Sequence, residues 1–131
     1  MLKTNCKQVK EAVRAYLMEN INEMMEEREI VTDRPVHAYF DIIQAEKFNQ
    51  RYNSDFDMFV DWLQGLGGFG ADIYYHGSRR GFAGGMVQDI LQDWLLQSNA
   101  DVKKYSGTQS EELIVRLCWR EFQYLMKKEG E

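Results

Sequence analysis

The segment from Tyr74 to Gln88, YYHGSRRGFAGGMVQ, combines the residue types that could hold an anion or move a proton. Two arginines and three glycines stand just before a predicted helix: Arg79, Arg80, Gly81, Gly84 and Gly85. Glycine lets backbone N–H groups approach an anion closely, the helix dipole adds attraction, and an arginine can close bidentately over phosphate or carboxylate. The segment therefore predicts a partner-binding or anion-binding loop. Glycines that only let the chain pass tightly over the helices are the alternative.

His76 is the residue of this segment best suited to acid–base chemistry, because histidine ordinarily titrates near neutral pH. Asp72 is a conceivable partner, but no complete catalytic signature accompanies the two, and a structural role beside the glycine turn is the alternative. His37 is predicted to be a surface or boundary residue. The two histidines and two cysteines are too dispersed for a zinc site, so we predict no metal and no cofactor.

Known nucleotide motifs fit the segment poorly. No Gly-Lys-Ser or Gly-Lys-Thr follows it, and no βαβ unit surrounds it. The run from Ser78 to Ala83 resembles the pyrophosphate loop of acyl-CoA-dependent N-acetyltransferases, although Ser78 replaces the Arg or Gln of that loop and the helical first half lacks that family's strands. This resemblance implies an alternative function, the binding of a small anion, acyl-CoA or a nucleotide.

Acidic residues dominate the first half of the chain. The net charge is −5, and residues 1–65 carry 8 Lys/Arg against 12 Asp/Glu. The prominent members are Glu23, Glu26, Glu27, Glu29, Asp55, Asp57 and Asp61. They indicate either solvated helix faces or a surface that meets a basic partner, the aspartates being able to imitate the charge of nucleic acid. Nonspecific binding to nucleic acid itself is not expected.

Apolar spacing of three and four residues predicts a mainly α single domain over residues 1–131, with about five helices, the glycine-rich loop and at most a short β element. The first helix is predicted from Asn5 to about Glu27 with Thr4 as cap, and the second from about Pro35 to about Tyr52 with Phe48 inward. The third is predicted from about Phe56 to a stop at Gly65, and the fourth from about Gly85 to Gln97. The fifth is predicted from a capping box at Thr108 and Glu111 to Lys127 and Lys128. Asn53, Ser54 and Asp55 supply the cap of the third. Asp72–Tyr75 is the β-compatible piece.

Cysteine usage and hydropathy predict the compartment. Cys6 and Cys118 lie in apolar helical patterns and are interpreted as reduced core thiols, which favours the cytoplasm. The chain shows no signal-peptide core and no apolar run long enough to span a membrane, so we expect no membrane partner. Trp62, Trp94 and Trp119 are predicted to pack in the core, with interface anchoring as the alternative.

The pattern His-Gly-x-x-x-Gly-x-x-Gly, carried by His76, Gly77, Gly81 and Gly84, resembles an element of small uncharacterised bacteriophage proteins. The Tyr105-Ser106 turn and the helix that follows it are similar to such proteins as well, so that the likeness covers about a third of the chain. It implies a phage or mobile-element origin. By class analogy in size and acidity, the chain also resembles phage proteins that block bacterial defence, including anti-CRISPR proteins.

These observations favour a non-enzymatic role without excluding catalysis. We expect a phage or mobile-element protein that binds and inhibits a host defence component, such as a CRISPR nuclease or nucleoprotein complex, in the bacterial cytoplasm. The contact is predicted at the acidic residues or at Arg79 and Arg80. The alternatives are the small-anion, acyl-CoA or nucleotide binder and a homodimeric structural module.

Overall fold

The computed structural model describes the backbone of residues 2–66 and 110–131, and the side chains of residues 10–66 and 115–131. This part of the chain contains four helices and no strand: α1 (Leu2–Glu27), α2 (Pro35–Glu46), α3 (Asp55–Leu66) and α4 (Ser110–Glu129). The mainly helical fold predicted from apolar spacing is thereby confirmed. The predicted helix over 85–97 and the β-compatible piece Asp72–Tyr75 lie outside the described residues. No helix in the described part is long and apolar enough to span a membrane.

One hydrophobic core joins the four helices, and α4 packs against each of the other three. The stripe of α1 is buried as its spacing predicts: Val13, Tyr16, Leu17, Ile21 and Met25. From α4, Leu117, Cys118 and Phe122 are fully buried. Because α1 and α4 each present a stripe three to four residues apart, the two helices can lie along one another with their apolar faces together.

Aromatic side chains fill the junction of α2, α3 and α4. The ring of Phe59 is fully buried, with its centroid 4.9 Å from that of Phe122 and 5.0 Å from that of Trp119. Trp62 is buried beside Tyr39, and its indole N–H donates a hydrogen bond of 2.7 Å to the Tyr39 hydroxyl. Burial raises the pKa of Tyr39 to about 12. The prediction of core packing is confirmed for Trp62, which is buried in the core, while Trp119 is partly buried and packs against it.

The start of α3 and the end of α4 follow the sequence signals. The Ser54 hydroxyl accepts a hydrogen bond of 3.2 Å from the backbone N–H of Asp57, as expected of the predicted N-cap. Lys127 and Lys128 stand in the last turn of α4, where positive charge is favourable. The predicted capping box at Thr108 lies outside the described residues.

Three predicted helix boundaries are wrong. The helix α1 already includes Leu2, so Thr4 lies inside it and is not its cap. The helix α2 ends at Glu46, because Lys47 N–H makes the last helical bond, to the Ile43 carbonyl, and Phe48 N–H bonds only three residues back, to the Ala45 carbonyl. Phe48 thereby leaves the buried stripe and is 81% exposed. The helix α3 runs through Gly65 to Leu66.

Candidate interaction surface

Four glutamates form an exposed acidic surface at the end of α1, defined here as Glu23, Glu26, Glu27 and Glu29. Within the described residues none of the four has an ion pair. The neighbouring cation, Arg28, instead pairs with Glu46 at the end of α2. The acidic surface therefore keeps its negative charge available to a positively charged partner.

The last turn of α1 closes in a Schellman arrangement. Ile30 N–H donates to the Met25 carbonyl at 2.9 Å, and Glu29 N–H donates to that of Glu26 at 3.1 Å. This places Glu29 in the left-handed region with a φ of 57°. Glycine usually occupies this position because a β-carbon there is strained. A glutamate is therefore unfavourable here in conformation as well as in charge.

Two helix ends contribute to the negative potential beside the acidic surface. Neither α1 nor α2 has a basic residue in its last turn, although carbonyl groups at a helix C-terminus carry partial negative charge. The ion pair between Arg28 and Glu46 brings these two ends close together. The carbonyl groups of these helix ends and the glutamates of the acidic surface therefore attract cations, and their closeness to one another is unfavourable for folding.

A second surface feature is the α2–α3 groove, an open depression of about 430 Å³ between the end of α2 and the start of α3. Its lining residues are Gln44, Lys47, Phe48, Gln50, Tyr52, Asn53, Ser54, Asp55 and Met58. Most of them offer amide, hydroxyl or charged groups, while Phe48 adds an exposed aromatic ring. The groove can therefore hold a chain segment that presents both polar and apolar groups.

Asp61 is held beside this groove by two partners. Lys47 Nζ lies 2.9 Å from Asp61 Oδ2, and the Tyr52 hydroxyl donates to the same oxygen at 2.5 Å. The hydrogen bonds from Tyr52 and Lys47 hold the pKa of Asp61 below its ordinary value. Partial burial and the hydrogen bond to Asp61 raise the pKa of Tyr52 to about 12. Asp61 thus neutralises Lys47 and does not extend the acidic surface.

The other two predicted aspartates stand at the start of α3. Asp55 and Asp57 are exposed in its first turn, where the helix dipole favours negative charge. Their role in starting α3 accounts for their position. Six of the seven acidic residues predicted from the sequence therefore lie at two separate helix ends, and only those of α1 oppose the local electrostatics.

His37 belongs to a cluster that fastens α2 to α4. Its ring Nδ1 lies 2.5 Å from Glu129 Oε1, and its Nε2 lies 3.1 Å from Arg34 Nη2. Because the guanidinium can only donate, Nε2 must accept, which leaves the ring proton on Nδ1 facing the carboxylate. Glu129 also accepts hydrogen bonds of 2.9 Å from the backbone N–H groups of Val36 and His37. This cluster caps α2 and is explained by folding.

Cys118 is a buried, free thiol, as predicted. Burial, with a smaller contribution from nearby Glu121, raises its pKa far above the ordinary value, so the reactive thiolate is suppressed. Glu121 is itself buried and pairs with Arg14 across α1 and α4 at 2.7 Å. No cluster of three or more metal-ligating side chains occurs in the described part of the chain.

The residues of the glycine-rich segment lie outside the described residues, and so does Trp94. The predicted binding residues among them are His76, Arg79, Arg80, Gly81, Gly84 and Gly85, which remain predictions. No protein-family model, curated protein or solved structure matches this chain.

Sequence reasoning missed Phe48 as a surface residue and Glu129 as a cap. The helical period placed Phe48 inward because nothing between Glu46 and Phe48 is a strong helix breaker. Glu129 reaches its partners across 92 and 93 residues of sequence, a pairing that no local pattern encodes. The left-handed conformation of Glu29 could not be predicted, since the glycine or asparagine that usually marks this position is absent.

Proposed function

We propose that this chain acts by binding a partner protein through the acidic surface of α1. The observation that carries the proposal is the placement of four exposed carboxylates where they disfavour folding. Each lies near a helix C-terminus without a basic residue in its last turn, and Glu29 adds backbone strain. Proteins commonly retain backbone strain and destabilising residues at positions that serve function.

Binding is favoured over catalysis by the surroundings of the reactive groups in the described part of the chain. The thiol of Cys118 is buried with a raised pKa, and the ring of His37 is occupied by Glu129 and Arg34. Both groups serve the packing of α4. The anion-binding alternative rests on Arg79 and Arg80, which are not among the described residues.

A partner that suits the acidic surface carries a basic patch of the kind that holds a nucleic-acid backbone. A protein that occupied such a patch would inhibit its partner by competing with the nucleic acid. This mode of action agrees with the class suggested by the sequence, a phage or mobile-element inhibitor of a host defence nuclease or nucleoprotein complex. Interaction through exposed charges also gives fast association that weakens with added salt.

The test compares two variants that each lose three negative charges. Glu23→Gln/Glu26→Gln/Glu27→Gln alters the acidic surface, whereas Asp41→Asn/Asp57→Asn/Glu131→Gln alters exposed carboxylates that belong neither to the acidic surface nor to the lining of the α2–α3 groove. Each is used with the wild type in a quantitative pull-down from a bacterial lysate at low salt. We expect a specific protein that the wild type and the second variant retain and the first variant loses. Equal capture by all three proteins would overturn the proposed contact.

A further inference from the structure

In the described part of the chain, Phe48 is one of two large apolar residues exposed near the acidic surface, the other being Val31. Phe48 has an aromatic side chain that is 81% exposed, at the rim of the α2–α3 groove. A partner that covers this ring gains from the removal of apolar surface from water. The ring of Phe48 therefore offers binding free energy that the described fold leaves unused.

The exposed ring and the acidic surface belong to the same end of the molecule. Arg28, next to Glu27 and Glu29, forms an ion pair with Glu46, and Phe48 follows Glu46 by two residues. Two residues of chain span at most about 7 Å. One bound segment can therefore run from the acidic surface across this ion pair to Phe48.

The charges of the groove admit a basic segment. Its cation, Lys47, is paired with Asp61 at 2.9 Å, and Asp55 is exposed on the α3 side. The named lining of the groove carries one positive and one negative side chain, Lys47 and Asp55, and Lys47 is neutralised by Asp61. Lys47 therefore does not repel a basic segment, whose attraction comes from the acidic surface.

We propose that the acidic surface and Phe48 together bind one basic segment of the partner protein, which carries an aromatic side chain that packs on Phe48 at the α2–α3 groove. This inference rests on the proposed function and specifies its partner. An aromatic anchor inside a charged rim is the usual anatomy of a protein interface. The acidic surface provides attraction and orientation, while the ring of Phe48 provides contact that persists at higher salt.

Two synthetic peptides of equal length and equal positive charge test whether the acidic surface and Phe48 contribute to binding in these two ways. Both consist of lysine, glycine and serine, and one carries a central tryptophan where the other has serine. Binding of each labelled peptide is measured by fluorescence anisotropy. We expect the tryptophan peptide to bind about tenfold more tightly to the wild type, a factor that corresponds to about 1.4 kcal/mol.

Phe48→Ala should remove this tenfold difference and leave the affinity for the serine peptide unchanged. Leu66→Ala is the matched control, because Leu66 is an apolar residue, 43% exposed, at the opposite end of α3 from the groove. Equal binding of the two peptides, or an unchanged difference in Phe48→Ala, would overturn the role of Phe48 while leaving the proposed function intact. If neither peptide bound, the acidic contact itself would be refuted.

Discussion

At the scale of single residues, Glu29 shows a conflict between local stability and surface charge. The Schellman bonds at the end of α1 require a left-handed residue, and Glu29 has a φ of 57°. The left-handed conformation costs a non-glycine residue about 1 to 2 kcal/mol. The helix dipole adds a smaller penalty of about 0.3 to 1 kcal/mol for a negative charge at this end.

Glu29→Gly should therefore stabilise the protein. Relief of backbone strain and of the dipole penalty outweighs the extra chain entropy of glycine in the unfolded state, about 0.4 to 1 kcal/mol. We expect a net gain in the free energy of unfolding of about 1 kcal/mol, measured by urea denaturation. Glu29→Ala separates the two causes, because it removes the charge and keeps the strain. A glycine variant no more stable than the alanine variant would show that the strain does not exceed the entropic cost of glycine.

At the scale of helices, the N-terminus of α2 is capped from another element. Its N-cap residue, Arg34, makes no side-chain cap hydrogen bond, and Pro35 follows it in the first turn. Glu129 of α4 takes over this task by accepting from the backbone N–H groups of Val36 and His37. The carboxylate also meets the positive end of the helix dipole, so the contact joins α2 to α4 through charge as well as hydrogen bonds.

The pH dependence of this contact follows from the pKa of Glu129. Burial acts to raise it, but hydrogen bonds from the His37 ring and from two backbone N–H groups outweigh burial, and the pKa is lowered. Between the folded and unfolded values the unfolded chain binds more protons, so stability rises with pH. The contribution is complete above the ordinary pKa of 4.5 and is lost as the pH falls through the folded value.

Glu129→Gln should lower the free energy of unfolding by about 1 to 2 kcal/mol at neutral pH, because it replaces charge-assisted hydrogen bonds with neutral ones. Urea midpoints measured at several pH values should show this deficit unchanged down to about pH 5 and shrinking at more acidic pH. Glu131→Gln, two residues further along and exposed, is the control and should match the wild type. If the stability deficit of Glu129→Gln stayed constant at acidic pH, the charge of the Glu129 carboxylate would not be the source of the stabilisation.

The sequence predicts helices more accurately than it predicts how they are joined. The apolar spacing of Val13, Leu17 and Ile21 continues along α1, so the burial of these residues could be predicted from the helical period alone. The end of α2 depends on a few backbone bonds around Lys47, and periodicity carries no information about where those bonds replace the helical ones. The residues of the acidic surface could be identified from the sequence because their charge and clustering are read from it directly. Their proximity to Phe48 could not be predicted, because it depends on the Arg28–Glu46 contact.

At the scale of the whole molecule, two phenylalanines distinguish the surface proposed to bind a partner from the buried core. Phe59 is fully buried between Phe122 and Trp119, and joins α3 to α4. Phe48 is 81% exposed and lies beside the end of α2. The same change of side chain at these two positions therefore measures the division directly.

Phe59→Ala should lower the free energy of unfolding by about 3 to 5 kcal/mol, the usual cost of emptying a buried aromatic site. This is a large part of the roughly 5 to 15 kcal/mol that holds a domain folded, and it corresponds to a fall in Tm of about 10 to 20 °C. Phe48→Ala should change the free energy of unfolding by less than about 0.5 kcal/mol, as for surface substitutions in general. Calorimetry measures both shifts under one condition. A loss of stability in Phe48→Ala comparable to that in Phe59→Ala would mean that Phe48 is a core residue and does not belong to the proposed interface. A Phe48→Ala variant that keeps its stability but binds the tryptophan peptide more weakly would support the proposed contact between the Phe48 ring and the partner.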